Sequence, residues 1–340
     1  MRILGVKGKA ALLLLVPLPV IVASLMVGAY PLPPDTVLSI LACKMFPLPH
    51  NSWPAVYEQV LFDIRLPRII LAVAGGIALS MSGASLQGLF RNPLVDSYLL
   101  GVSAGAGFGA ALAIAFLPGI PGLVQLLAFS FGFLAFFISF SAARTKGETP
   151  TISLILAGVI VTALFTAALS VIKFYTDQYR LANVVYWLMG SLASTGWGEV
   201  MQTVPLILVG FLVVFLMRWR LNVLSMGDEE AKSLGVNVER DRFIILIAST
   251  LMASAFVSVA GIIGWVGLVV PHMIRMLTGT PDNRVVIPLS ASLGAVFLLL
   301  ADDLARSLTT AEIPVGILTT ICGAPFFMYL LKRKGGFVWR

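Results

Sequence analysis

The chain has 340 residues, 59% of them hydrophobic and 11% charged, with a mean hydropathy of +0.97 and a net charge of +7. A soluble domain carries about 25% charged residues, so a fold surrounded by water is excluded and lipid must face most of the chain. Cys43 and Cys322 lie far apart, as do His50 and His272, which gives neither a disulfide framework nor the ligands of a resident metal centre.

Arg2, Lys7 and Lys9 precede an apolar run at 10–34. The run exceeds a signal-peptide core of about 7–15 residues and no small-residue cleavage site follows, so it is expected to be an uncleaved first helix. A bilayer core about 30 Å thick takes roughly 20 apolar residues per helix. Charge-free blocks continue at 69–90, 97–143, 149–172, 181–198, 200–217, 243–274, 285–301 and 313–331. Pro118, Gly119, Pro121 and Gly122 divide the second of these into two helices. Gly261, Gly264 and Gly267 mark a break in 243–274, whose second piece is expected to be short. Block 181–198 carries Asn183, Ser191, Ser194 and Thr195, and is expected as a short helix at the surface or lining a cavity. The expected fold is therefore all-α with about ten transmembrane helices. Starting inside, this topology leaves seventeen of the 23 Lys and Arg on the cytoplasmic side. The positive-inside rule then puts both termini in the cytoplasm, and the basic charge needs no nucleic acid to explain it.

Small residues let helices approach closely in lipid. Ala72, Gly76, Ser80, Ala84 and Gly88 recur at every fourth position, and Gly101, Gly105, Gly109 and Ala113 do the same in the next helix. Gln87, followed by Arg91, Asn92 and Pro93, makes the cytoplasmic end of the first stripe a candidate constriction. No acid or base falls mid-span, so the chain offers no proton relay, and its energy source must lie elsewhere. The longest cytoplasmic polar stretch is 220–242. Ser225 and Asp228 have capping-box spacing. Asp228, Glu229 and Glu230 load the first turn of a short helix, Lys232 follows, Gly235 is placed to stop it, and Asn237 can cap a second helix. A solvated loop is the default reading of such a stretch, but two capped helices between spans look like a rigid docking surface for another protein.

With these elements in place, the chain resembles the FecCD/BtuC-type permeases, the membrane subunits of ABC importers. The resemblance runs from about Asp63 to the C-terminus. It is carried by RLPR at 65–68, GGIALSMSGASLQGLFRNPLVDSYLLGVSAGAG at 75–107, YWLMGS at 186–191, DEEAKSLGV at 228–236, GIIGWVGLVVPHMIR at 261–275 and ADDLARSLTTAEIPVGILTTICGAPFF at 301–327. It implies a BtuC-like type II importer fold, one permease domain over 1–340, in the cytoplasmic (inner) membrane. It further implies a second copy of the chain, two ABC ATPase subunits and an extracytoplasmic substrate-binding protein as partners. ATP and Mg would sit on the ATPase, since this chain has no GxxxxGK[ST] loop, no catalytic residue and no cofactor of its own. The implied cargo is a ferric siderophore, haem or a corrinoid, with molybdate-type oxyanions an outlier.

The same resemblance implies residue roles. Arg65, Arg68 and Arg306 would receive acidic side chains of the binding protein. Read without the family, they would be interfacial anchors or local pairs such as Arg306 with Asp302 or Asp303. Ser225, Asp228, Glu229, Glu230, Lys232, Leu234, Gly235 and Asn237 would form the ATPase coupling element. Gln87, Asn92, Pro93, Leu94, Thr149 and Thr151 would line the gate or path, although Pro150 departs from the family's hydroxyl-rich pattern and fits a first helical turn. His272 beside Pro271 is expected to be structural. A secondary transporter without an ATPase is the alternative. It would need intramembrane ionisable residues or paired broken helices, and only the break near Gly264 qualifies. A membrane enzyme would need a catalytic cluster at one depth, and none occurs.

Overall fold

Proline and glycine set where the apolar blocks break into helices. The computed structural model describes residues 6–46, 53–145, 147–309 and 311–334; His50, Arg2 and both chain termini lie outside them. Pro17 lacks an N–H and interrupts the helical ladder, so the expected first helix is two, α1 (Val6–Leu15) and α2 (Pro17–Met26). Next come α3 (Pro34–Met45) and α4 (Ala55–Gln59), which passes through a π-helical stretch (Val60–Arg65) into α5 (Leu66–Phe90). The turn at 118–122 separates α6 (Val102–Phe116) from α7 (Leu123–Ala143). α8 (Thr151–Tyr175) is followed by the short α9 (Gln178–Leu188), capped by the Asp177 side chain. α10 (Trp197–Leu224), α11 (Asp228–Ser233) and α12 (Val238–Ala260) lead to the break, after which come α13 (Val266–Thr278), α14 (Asn283–Ser307) and α15 (Val315–Lys334). Among the described residues, six helices are long and apolar enough to cross a membrane and four more are shorter but apolar, α1 and α2 counting as one, in line with the ten spans expected.

Burial ranks these helices. The apolar windows of α5, α12 and α14 are 83%, 72% and 67% buried, whereas those of α7, α8 and α10 are 28–33% buried. The small-residue stripe on α5 explains its central place. Gly76 lies against the Gly294 backbone of α14, and the Ser80 hydroxyl donates to Ser290 O at 2.8 Å. The stripe on α6 meets α7, with Gly105 on the Phe131 carbonyl and Gly109 on that of Leu127.

Two irregular segments cross the interior. After α5 ends, residues 91–101 turn back along it, and the Ser97 hydroxyl donates to Leu79 O at 2.9 Å. Leu79 is eleven residues from the end of α5, about 16 Å at 1.5 Å per residue, so the segment reaches mid-depth. α6 is short because the chain has already climbed before that helix begins. The stretch 261–265 descends in the opposite sense between α12 and α13. Irregular backbone at membrane depth must have its polar groups satisfied by protein. Tyr98 OH donates to Ile263 O at 2.9 Å, Ser139 Oγ donates to Leu100 O, and the Ser191 N–H donates to Ala260 O. Asp96, which a linear count leaves at the inner surface, therefore sits next to Ser97 near mid-depth, its carboxylate accepting the Tyr98 N–H.

Candidate functional site

In the stretch expected to face the cytoplasm, α11 opens with Asp228, Glu229 and Glu230, three acids where the partial positive charge of the helix N-terminus favours them. The cap is Gly227, not Ser225: the Ser225 hydroxyl turns back to Asn222 O. Ser225 thus closes α10, and the capping-box expectation is corrected. Gly235, at φ +77°, stops α11 as expected. Its N–H donates to Lys232 O and that of Val236 to Ala231 O, the paired bonds of a Schellman turn. Asn237 caps α12 by accepting the Arg240 N–H. Met226, Glu229, Glu230, Lys232 and Leu234 are exposed around this turn, Met226 and Leu234 to about 60%.

The element is fastened from behind. Arg242 Nη2 donates to both oxygens of Asp228 at 2.7 Å, while Nη1 donates to Glu239 Oε1 at 3.0 Å and to Thr149 O at 2.8 Å. Glu239 Oε2 accepts the Thr149 N–H and hydroxyl. Lys232 Nζ donates to Glu148 at 2.9 Å, and that hydrogen bond holds the ammonium above its ordinary pKa. Nearby, Asp282 caps α14 and accepts from Arg284 and Asn222. The hydrogen bond from Arg284, the largest cause, brings its carboxyl down to about 2.

The expected gate residues separate into two groups. Arg91, in the left-handed region at φ +51°, ends α5. Asn92 Oδ1 then accepts the Leu94 N–H, and Leu94 is 57% exposed beside the half-buried Pro93. Gln87 is fully buried: Nε2 donates to Gly267 O, and Oε1 accepts from Arg275. It fastens α5 to α13 and faces no open path in this conformation. Thr149 is likewise buried, inside the Arg242 network, while Thr151 is half-buried at the start of α8. Pro150 precedes the first turn as the cap, not within it. His272 packs against the Phe327 ring.

At the end expected to face outward, the three arginines turn into the protein. Arg65 is 3% exposed and donates to Leu25 O and Tyr30 O. Arg68 grips Asp302 through Nε and Nη2, and Glu312 through Nη1. Arg306 reaches Ser24 and Asp303. The cluster joins α2, α5 and α14 to the stretch entering α15. The local pairing of Arg306 with Asp303 is what the structure contains, and Arg65 and Arg68 likewise have partners within the chain. Glu312 and Arg242 are not singled out by the sequence, because Glu312 meets Arg68 across 244 residues and Arg242 meets Thr149 across 93; Asp302 and Asp303 are named there only as local partners of Arg306. The run of acids and Arg306 at 302–306 was the available signal.

The family model of the FecCD transport family matches residues 12–333. The chain is 40% identical to a molybdate import permease of Haemophilus influenzae, over 92% of this chain and 93% of that one. It is 42% identical to a cobalamin import permease of Halobacterium salinarum (83% and 75%) and to a hemin transport permease of Yersinia pestis (81% and 84%). A solved ABC transporter of metal-chelate type, in an inward-facing conformation, superposes with a TM-score of 0.83 at 35% identity, covering 96% of this chain and 98% of that one. This multi-pass membrane protein therefore belongs to the FecCD transport family, as a permease of ABC importers.

Proposed function

We propose that the chain forms, with a second copy of itself, the translocation path of an ATP-driven importer for a metal chelate or corrinoid in the cytoplasmic membrane. Both termini lie inside. The observation that carries this is the α11–α12 element. Its two capped ends and buried anchor hold an apolar and acidic surface toward the cytoplasm, as a docking site for an ATPase requires. Energy then enters through the partner, consistent with a chain that lacks a phosphate loop. The names of the relatives support a large chelate as cargo, but at 40–42% identity they do not rank molybdate below cobalamin or hemin. In this proposal selectivity rests with the binding protein. Arg65, Arg68 and Arg306 serve its docking by fixing the outer ends of α2, α5 and α14, not by offering free charge. Asn92, Pro93 and Leu94 form the inner gate.

The test is reconstitution. The purified subunit should co-isolate with an ATPase and, with its binding protein, drive ATP-dependent uptake of a ferric chelate, hemin or cobalamin into proteoliposomes. Uptake without any ATPase would favour a secondary transporter. ATP-driven uptake of molybdate alone would overturn the cargo and leave the transport class standing.

A further inference from the structure

Arg242 lies in the first turns of α12, at the cytoplasmic surface, yet its side chain is 3% exposed. Its guanidinium joins three separate pieces of chain: Asp228 at the start of α11, Glu239 in its own helix, and the Thr149 carbonyl in the stretch entering α8. A planar fork of five donors can make these four bonds at once, with both oxygens of Asp228 held, which the three N–H groups of an ammonium cannot. Glu239 closes the loop by accepting from Thr149.

α11 depends on this tie. It has six residues, of which only Ala231 is buried, so apolar packing alone does not fix its position. Asp228 and, more exposed, Lys232 both lead to 148–149. α8 in turn is anchored to the rest of the bundle over only a third of its apolar window. A force on α11 is thus delivered to the cytoplasmic end of a loosely held helix.

We propose that Arg242 is the positioning residue that turns displacement of α11 by a docked ATPase into displacement of the start of α8, and so sets how tightly hydrolysis is coupled to transport. This rests on the assignment of α11 as the ATPase-docking element. It gives Thr149 a role in transmission.

The test uses the whole complex, permease with its ATPase and binding protein, in proteoliposomes. In Arg242→Gln, uptake per ATP hydrolysed should fall about five-fold or more, the range of ordinary coupling energies. Asp228→Asn, a change at a part-exposed side chain, should lower the same ratio, and decides the matter if Arg242→Gln does not assemble. In a chain with Cys43 and Cys322 replaced by serine, Lys232→Cys and Glu148→Cys joined by a reducible bis-thiosulfonate bridge should restore the ratio to whichever variant assembles, and reductant should abolish the rescue. A purely structural role would lower the amount of complex and leave the ratio unchanged. An unchanged ratio, or a lowered ratio that the bridge does not restore, overturns the proposal. Failure of the unmodified subunit to retain an ATPase would instead overturn the docking assignment, and would show before any variant is compared.

Discussion

Arg68 and Asp302 are 6% and 0% exposed in their side chains and bonded through two guanidinium nitrogens. A buried pair stabilises little relative to an apolar pair of similar volume, but losing one partner strands a charge, at about 3–5 kcal/mol. Asp302 keeps Arg306 at 3.8 Å, so Arg68→Met should lower the unfolding free energy in detergent by the lower part of that range, and Arg68→Met with Asp302→Leu should recover part of it, Glu312 being left without its arginine. Additive losses would show that the pair does not act as a unit. Asp282 gives a pH-dependent case. Its carboxyl moves from an ordinary 3.8 to about 2, so its contribution is complete above about pH 4 and is lost as pH falls through 2. Asp282→Asn should keep the cap and remove that slope, and Asp282→Ala should cost about 1 kcal/mol at neutral pH. Unfolding midpoints at pH 7 and pH 3 separate these outcomes. At this scale the sequence displayed charges but not partners. Asp302 lies 234 residues from Arg68, and nothing local distinguishes an arginine that faces water from one that closes an internal cluster.

Helix boundaries were far more legible, because proline and glycine act locally. The turn at 118–122 and the break at 261–265 stand where punctuation put them. The climb of 91–101 along α5 was not visible, since an apolar connection and an apolar helix have the same composition. What permits it is backbone contact. A Cβ on Gly83 would overlap the Gly267 carbonyl of α13, and Gly267 in turn touches Ser97. Gly83→Ala should push α5 and α13 apart at about 1–3 kcal/mol, read as a lower unfolding temperature. Gly264→Ala, where added atoms meet nothing within 4 Å, should be near neutral. Equal effects of the two would mean that the close approach does not hold the break in place.

For the whole molecule, total hydropathy announced a membrane protein and loop charge an expected orientation, but neither says which faces meet lipid. The exposed faces of α8 and α10 differ in part. Both show bulky apolar side chains, Leu208, Val209, Leu212 and Leu216 on α10 and Leu156, Val159, Ile160 and Leu164 on α8, but α8 adds Ala163, Thr166, Ala167 and Ser170 to its exposed side. Small and hydroxylated residues suit a helix partner or a hydrated path. In the proposed homodimer we therefore place α8 along the path, with the end that Arg242 reaches at its entry. Thiols react as thiolates, which need water. In the assembled transporter, with Cys43 and Cys322 replaced by serine, Thr166→Cys should be modified by a membrane-impermeant maleimide and Leu212→Cys should not. Modification of Leu212→Cys at the same rate would remove the distinction between the two faces, and with it the placement of α8 along the path.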